Sequence, residues 1–336
     1  MEYRNFGTSD LKVSAIGFGC WEMGGDHYGG TDDGEVTKAI HRAIDLGVTL
    51  YDTAAIYGFG GSEIVLGKAL GARRKDIILV TKSAIDWDPI SFTRKFDSRY
   101  STVKRITEGS LKRLGTDHLD LQLIHWPDAD TPIEEAMRAL NDLVKEGKTR
   151  YIGISNYTSH ELREAKKHAP IVANQVGYNM FDRRWEREMF PTAREIGVGI
   201  MGYGPMAHGL LTGAFKRDET FKAGDWRRAG VIFGQTLFGP NLGQNLDVVD
   251  GLAKVAADLG TSLPRLALAW VLRNPALTVA LSGCRSVAEI EENVKALDLK
   301  IPNDALARID GLLKNAVGQI DSVPGRHHPP PVAIPA

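Results

Sequence analysis

Cysteine is nearly absent: Cys20 and Cys284 are the only two in 336 residues. That excludes a disulfide framework, and their separation makes no zinc site. Neither sign of charge prevails, since 41 Lys and Arg offset 42 Asp and Glu for a formal net charge of −1. With no basic stripe to follow a phosphate backbone, nucleic acid and anionic membrane are not expected as partners. No apolar run approaches the ~20 residues of a membrane helix. The opening MEYRNFGTSDLKV lacks the charged and then apolar layout of a secretion signal, so a reducing cytoplasm is the expected location.

Several catalytic signatures are missing as well. There is no G-x-S-x-G elbow and no cysteine beside a catalytic histidine, so the chain offers no nucleophile of the usual kinds. Nine histidines never adopt HExxH or another metal spacing, and no metal is expected. No G-x-G-x-x-G follows the first strand, which argues against a doubly wound dinucleotide domain. YSTVK at 100–104 has the Tyr-x-x-x-Lys spacing of short-chain dehydrogenases but lies in a helical stretch. EGKTR at 146–150 resembles the end of a P-loop, but Asp142 stands where that loop needs glycine.

What is present is a hydrophobic share of 43%, enough for a sizeable core, arranged in short apolar runs that alternate with amphipathic ones. The strand-like runs are AIGFG (15–19), VTLYD (48–52), IILVTK (77–82), LDLQLIH (119–125), RYIGIS (150–155), IVANQ (171–175), VGIMGY (198–203) and TVALSG (278–283). Between the first two, Val36, Ala39, Ile40, Ala43 and Ile44 recur at helical spacing, with a cap among Thr31 to Asp33 and Gly47 as the stop. A second helix is signalled by Asp130 or Thr131 as cap, Pro132 in the first turn, acidic Glu134 and Glu135, and Gly147 at the end. Eight strands too apolar for an open sheet, each followed by a helix, predict an α/β fold, a (β/α)8 barrel. YRNFGTSDLKVS reads as an N-terminal β-hairpin, and 204–244 as a long loop after the seventh strand. One barrel domain is expected over 1–318, followed by a proline-rich tail over 319–336.

Barrel active sites form at the C-terminal ends of the strands. Those ends carry Asp52 with Tyr57 just beyond it, Lys82, His125, Ser155 with Asn156, Gln175 and Tyr203. Taken singly, each has a plain structural explanation: a turn aspartate, a solvated lysine, a buried histidine, loop amides. Together they face one rim in strand order, and that order favours a shared site. A phenol has a reference pKa of about 10, an adjacent ammonium lowers it, and a carboxylate holds that ammonium charged. Tyr57, Lys82 and Asp52 thus form a general acid with its tuning pair, and His125 adds a donor for a carbonyl oxygen. A proton donor without a nucleophile suits carbonyl reduction with hydride from a cofactor. Trp21, Trp87 and Trp126 join Tyr57 and His125 as candidate walls of the substrate pocket. A long loop at 86–98 (DWDPISFTRKFDS) and the stretch around Trp226 to Phe238 are the expected determinants of substrate choice.

These motifs resemble the aldo-keto reductases, in particular the prokaryotic branch with general-stress and inositol-operon reductases. The resemblance runs over 3–315 and rests on Asp52 to Gly58, Lys82 in VTK, LGTDHLDLQLIHWPD ending its strand at His125, GISN at 153–156, Gln175 in NQVGYN and YGPMAHGLLTG at 203–213. It implies a tetrad of Asp52, Tyr57, Lys82 and His125, with Tyr57 as proton donor. It implies that Ser155, Asn156 and Gln175 hold a nicotinamide carboxamide and that Tyr203 stacks on the ring. Gly204, Pro205, Met206, Ala207, His208 and Gly209 would cover the pyrophosphate, and Gly283, Cys284, Arg285, Glu289, Glu292 and Asn293 would surround the adenosine phosphate. Gly19, Cys20, Trp21 and Asp52 complete the implied cofactor contacts. Arg285 suits a 2′-phosphate and so NADP(H), with NAD(H) as the alternative, because His208 replaces a more usual Arg or Gln and the acid Glu289 would repel that phosphate. Two rivals follow from the same residues. One is a cofactor-binding regulatory module like potassium-channel β-subunits, and the other is a Schiff-base aldolase or isomerase using Lys82.

Overall fold

Two short strands open the chain, β1 (Tyr3–Asn5) and β2 (Lys12–Ser14), paired antiparallel with Arg4 opposite Val13. They form the expected N-terminal hairpin in the computed structural model, which describes residues 1–23, 31–222 and 225–325. Next come β3 (Ile16–Gly19), β4 (Leu50–Asp52) and β5 (Ile78–Ser83). A second antiparallel hairpin follows, β6 (Ile85–Trp87) with β7 (Arg94–Phe96). The chain then enters β8 (Leu119–Ile124), β9 (Thr149–Ser155), β10 (Ala173–Gly177), β11 (Gly199–Tyr203) and β12 (Leu277–Gly283). Strands β3, β4, β5 and β8 to β12 pair in parallel in that order and β12 closes on β3. All eight predicted runs are barrel strands. The stretch 86–98, read from sequence as a loop, instead contains most of the β6–β7 hairpin.

The covering helices form where the sequence supplies caps. In α1 (Asp33–Asp45) the Asp32 carboxylate accepts the Glu35 N–H at 2.8 Å, and Gly47 at φ 84° takes the chain back toward β4. Helices α2 (Gly61–Leu70) and α3 (Tyr100–Leu114) follow. Helix α4 (Ile133–Lys145) differs from the sequence expectation at its start. Neither Asp130 nor Thr131 caps it; Pro132 takes the cap position, and Asp128 accepts from the Asp130 N–H and the Thr131 hydroxyl at 2.9 and 2.6 Å. Helix α5 (Ser159–His168) begins with a reciprocal Thr158–Glu161 capping box. Then come α6 (Met189–Glu195), α7 (Leu242–Asp258), α8 (Leu263–Leu272), α9 (Val287–Val294) and α10 (Asn303–Leu313). Among the described residues no single helix is long and apolar enough to cross a membrane. Most of the predicted proline-rich tail, 326–336, lies outside the described residues.

The barrel interior explains why polar groups gather at one end. Leu50, Val80, Leu121, Leu123, Ala173, Met201, Val279 and Leu281 pack there, and Phe6, Leu11 and Val13 of the N-terminal hairpin cork the lower mouth. Side chains on a strand alternate faces with a period of two. The residue two beyond Leu50 is Asp52, two beyond Val80 is Lys82, two beyond Leu123 is His125, two beyond Ala173 is Gln175 and two beyond Met201 is Tyr203. Gly153 leads to Ser155 by the same step, and its lack of a side chain is required: a Cβ there would sit 2.6 Å from Leu123 Cδ2 and 2.7 Å from the Ala173 carbonyl. The apolar layer thus fixes a layer directly above it to which six of the eight barrel strands bring a polar side chain.

Candidate active site

Lys82 is the centre of that layer. Its Nζ donates to Asp52 Oδ2 at 2.7 Å, to the Thr53 carbonyl at 2.8 Å and to the Tyr57 hydroxyl at 3.1 Å. Three ammonium hydrogens therefore meet three acceptors. Both side chains of the ion pair are buried, at 0% and 5% exposure. The other Asp52 oxygen accepts from Gln175 Nε2 at 2.7 Å, which ties the sixth barrel strand to the second. Because the Tyr57 oxygen accepts from Lys82, its own hydrogen is left to point elsewhere, toward the cavity that Tyr57 lines.

Local chain geometry delivers Tyr57 to this point. Beyond β4 the Thr53 N–H bonds to the Val80 carbonyl, and the Tyr57 N–H closes a turn on Ala54. Gly58, Phe59 and Gly60 all have positive φ, 54°, 50° and 94°, so the chain reverses sharply into α2. The Ser62 hydroxyl then anchors the turn on the Cys20 carbonyl at 2.8 Å. The His125 ring lies edge-on to Tyr57, centroids 5.5 Å apart.

Burial sets the protonation states. It pushes the Lys82 ammonium down and the Asp52 carboxyl up, and their mutual attraction opposes both shifts. His125 is held well below the usual imidazole range by burial and then by Lys82, so it is neutral. The sequence reading has the ammonium lowering the phenol; in the structure the sign is reversed. Burial, then the Asp52 carboxylate, holds Tyr57 well above its ordinary value of 10.0. The phenol keeps its proton throughout the neutral range.

The polar side chains behind this group are held by hydrogen bonds to backbone carbonyls and to one another. The Ser155 hydroxyl donates to the Gln175 carbonyl at 2.9 Å, Asn156 Nδ2 donates to the His125 carbonyl at 3.1 Å, and the Tyr203 hydroxyl donates to Asn156 Oδ1 at 2.9 Å. Asn156 takes the left-handed backbone, φ 64°, which turns it in toward the barrel axis.

Above the polar layer opens a cavity of about 810 Å³, within the range of small-molecule and cofactor sites. Its walls include Trp21, Tyr57, His125 and Trp126, but Trp87 does not line it. The Trp87 ring packs instead against Phe59 at 6.3 Å and under Arg113. Ala207 and Cys284 are fully enclosed below the surface and do not line it either. The other residues singled out for a cofactor do line it: Gly19 and Cys20, Ser155, Asn156 and Gln175, Tyr203 to Met206, His208 and Gly209, and Gly283, Arg285, Glu289, Glu292 and Asn293.

One arm of the cavity suits an extended, phosphate-bearing group. Gly204 and Gly209 expose backbone with φ 62° and 98°. Arg285 is half-exposed there, but Glu289 accepts from its backbone N–H at 2.7 Å and from its guanidinium at 3.1 Å. Burial lowers the His208 pKa to about 3, so this side chain brings no positive charge at neutral pH. Glu292 is held by Ser262 and Arg265, and Asn293 by the Ser282 hydroxyl at 3.1 Å. A glycine floor with a cation at its rim fits a nicotinamide dinucleotide.

Sequence reasoning overlooked two residues of this arm. Glu22 lies so close to Gly283 that a Cβ there would meet its carboxyl at 2.0 Å, and burial raises its pKa to about 7. Arg227, gripped by Asp225 at 2.9 and 2.6 Å, also lines the cavity. Neither belongs to a strand end or a motif, so no periodicity marks them, although Arg227 lies within the Trp226 to Phe238 segment expected to choose the substrate. The turn Ile232–Gln235 carries a further wall residue, Phe233, at φ 47°, whose ring packs with Trp126 and Tyr203 at 5.7 and 5.4 Å.

A family model described as the Aldo/keto reductase family matches residues 15–314. The aldo-keto reductase YhdN of Bacillus subtilis (strain 168) is 35% identical over 320 residues, covering 94% of this chain and 95% of that one. The NADH-specific methylglyoxal reductase of Escherichia coli (strain K12) is 33% identical over 309 residues, covering 88% and 93%. Among solved structures, the glycerol dehydrogenase AKR11B4 from Gluconobacter oxydans superposes with a TM-score of 0.84 at 31% identity, covering 95% of this chain and 97% of that one.

Proposed function

The chain belongs to the aldo/keto reductase family, whose members are oxidoreductases that use nicotinamide cofactors on small molecules. From that premise we propose that it reduces an aldehyde or ketone to the alcohol, with Tyr57 as the general acid. The observation that carries this reading is the Lys82–Tyr57 contact of 3.1 Å, in which the phenol oxygen accepts and its hydrogen is free to be given away.

Residues of the cavity divide the work. Trp21, Trp126 and Phe233 form a dry wall for the carbon skeleton. A carbonyl oxygen drawn to Tyr57 and the neutral His125 receives two hydrogen bonds, and negative charge growing on it is met by donors already in place. Tyr57 then gives its proton to that oxygen, and the Lys82 ammonium steadies the phenolate left behind, while Asp52 keeps Lys82 aimed. Ser155, Asn156, Gln175 and Tyr203 would hold the nicotinamide, which supplies hydride to the carbonyl carbon when bound. Gly204, Gly209, Gly283 and Arg285 would hold the rest of the dinucleotide. NADP(H) is the proposed cofactor through Arg285, with NAD(H) also accepted because the Glu289 carboxylate offsets part of that attraction.

The test is a panel of aldehydes and ketones with NADPH and NADH, following cofactor oxidation and identifying the alcohol formed. Stoichiometric alcohol supports the reading. A lysine adduct trapped by borohydride, with no cofactor oxidised, would replace it with Schiff-base chemistry at Lys82. The three acceptors already engaging that nitrogen weigh against the latter.

A further inference from the structure

Arg94 is the one arginine of the β6–β7 hairpin, and it stands in the cavity wall beside Ile85, Phe96 and Trp126. Alternation puts it there. Arg94 and Phe96 share a face of β7, and Phe96 packs on Trp126 at 6.2 Å, whereas Lys95 between them faces away and pairs with Asp97 at 3.5 Å. Its guanidinium lies 4.7 Å from the centre of the Phe59 ring. Every acid of the hairpin is engaged elsewhere. Asp86 pairs with Arg105 at 2.7 Å, Asp88 accepts from the Ile90 and Ser91 N–H groups at 2.9 and 2.7 Å, and Asp97 holds Arg99. Among the described residues no carboxylate pairs with Arg94 and no acceptor takes its hydrogen bonds. A cation partly buried in an aromatic wall, with no counter-ion among the described residues, offers its charge to a ligand in the cavity.

We propose that Arg94 selects carbonyl substrates that bear an oxyanion group, a carboxylate or a phosphate, at the end remote from the carbonyl. The inference rests on the reductase reading above and gives it a substrate class. The carbonyl sits at Tyr57 and His125, the chain of the substrate crosses the aromatic wall, and the anion takes the planar fork of Arg94 in paired hydrogen bonds. Phe59 backs the guanidinium and keeps it from folding away. Selection of this kind acts through binding, so it appears in KM more than in kcat.

The experiment compares matched pairs of substrates in wild type and in Arg94→Gln and Arg94→Lys. Succinic semialdehyde is set against butanal for the carboxylate, and glyceraldehyde 3-phosphate against glyceraldehyde for the phosphate. Loss of a charge-assisted bidentate contact predicts a fall in kcat/KM of roughly 10- to 100-fold in Arg94→Gln for the favoured anionic member, carried by KM. Arg94→Lys recovers part of it, and the neutral members change less than about twofold, which also reports that the variants are folded. The member of the two pairs that shows the drop tells carboxylate from phosphate. An equal effect on charged and neutral substrates, or none, overturns the proposal. Binding of succinate and of glycerol 3-phosphate, followed by tryptophan fluorescence, separates the two readings. If wild type turns over no carbonyl yet binds either anion in an Arg94-dependent way, the reductase reading has failed and the anion site stands; if it reduces butanal but Arg94→Gln leaves the binding of both anions unchanged, the anion site has failed alone.

Discussion

Cutting the buried Asp52–Lys82 pair one side at a time should damage the barrel more than removing both sides together. Lys82→Met leaves Asp52 with Gln175 as its remaining donor, in a setting where only 5% of its side chain meets solvent. Asp52→Leu leaves the ammonium with the Thr53 carbonyl and the Tyr57 oxygen, and takes from Gln175 its acceptor. An uncompensated buried charge costs about 3–5 kcal/mol. With a urea slope of about 2–3 kcal/mol/M, each single variant should unfold about 1–2.5 M earlier than wild type, read by circular dichroism at neutral pH. In the double variant neither charge remains, and two apolar side chains of similar length fill the same space. Burial pushes both groups toward their neutral forms, so much of the pair's attraction only offsets desolvation. The double variant should therefore be more stable than either single one, with a coupling of roughly 2 kcal/mol or more. Losses that simply add would refute the idea that these two side chains form one desolvated unit.

Two other outcomes follow from the site. Glu289→Gln frees Arg285, and because both side chains are partly exposed the gain is about 1 kcal/mol. NADPH affinity relative to NADH should rise by roughly threefold to tenfold in fluorescence titrations, and an unchanged ratio would place the 2′-phosphate elsewhere. The pH profile depends on Tyr57, whose pKa lies above its ordinary value of 10.0 because of burial. A raised value keeps the acid form filled at and below neutrality, so the reduction rate should be flat from about pH 6 to 9. The reverse oxidation needs the phenolate and should climb about tenfold per unit across that range; a reduction limb falling near neutrality would show that another group gives the proton.

Much of this site was legible in the sequence because a parallel barrel converts spacing into position. Once eight apolar runs are aligned, the residue two beyond the last interior side chain must face the rim, and that rule alone gathers Asp52, Lys82, His125, Gln175 and Tyr203. What escaped has no such rule behind it. Strands β6 and β7 are three residues each, too short for alternation to show in DWDPISFTRKFDS. Arg94 was consequently not singled out within 86–98, although that segment was expected to choose the substrate, and Trp87, expected to face the cavity, is turned onto Phe59. Glu22 follows the first strand with no partner at helical or strand spacing. The acidity of Tyr57 could not be read either. Spacing shows that an ammonium is near, but how far water is excluded decides the sign of the shift, and that depends on packing from many parts of the chain.

The central claim is that the Tyr57 hydroxyl gives the proton, and the direct measurement is single-turnover reduction by Tyr57→Phe alongside its cofactor dissociation constant. The substitution removes one oxygen and leaves the ring against Trp21 and His125. The account predicts a drop in the chemical step of about a hundredfold or more, with cofactor affinity within about threefold of wild type. A Phe variant that reduces its carbonyl at the native rate contradicts it.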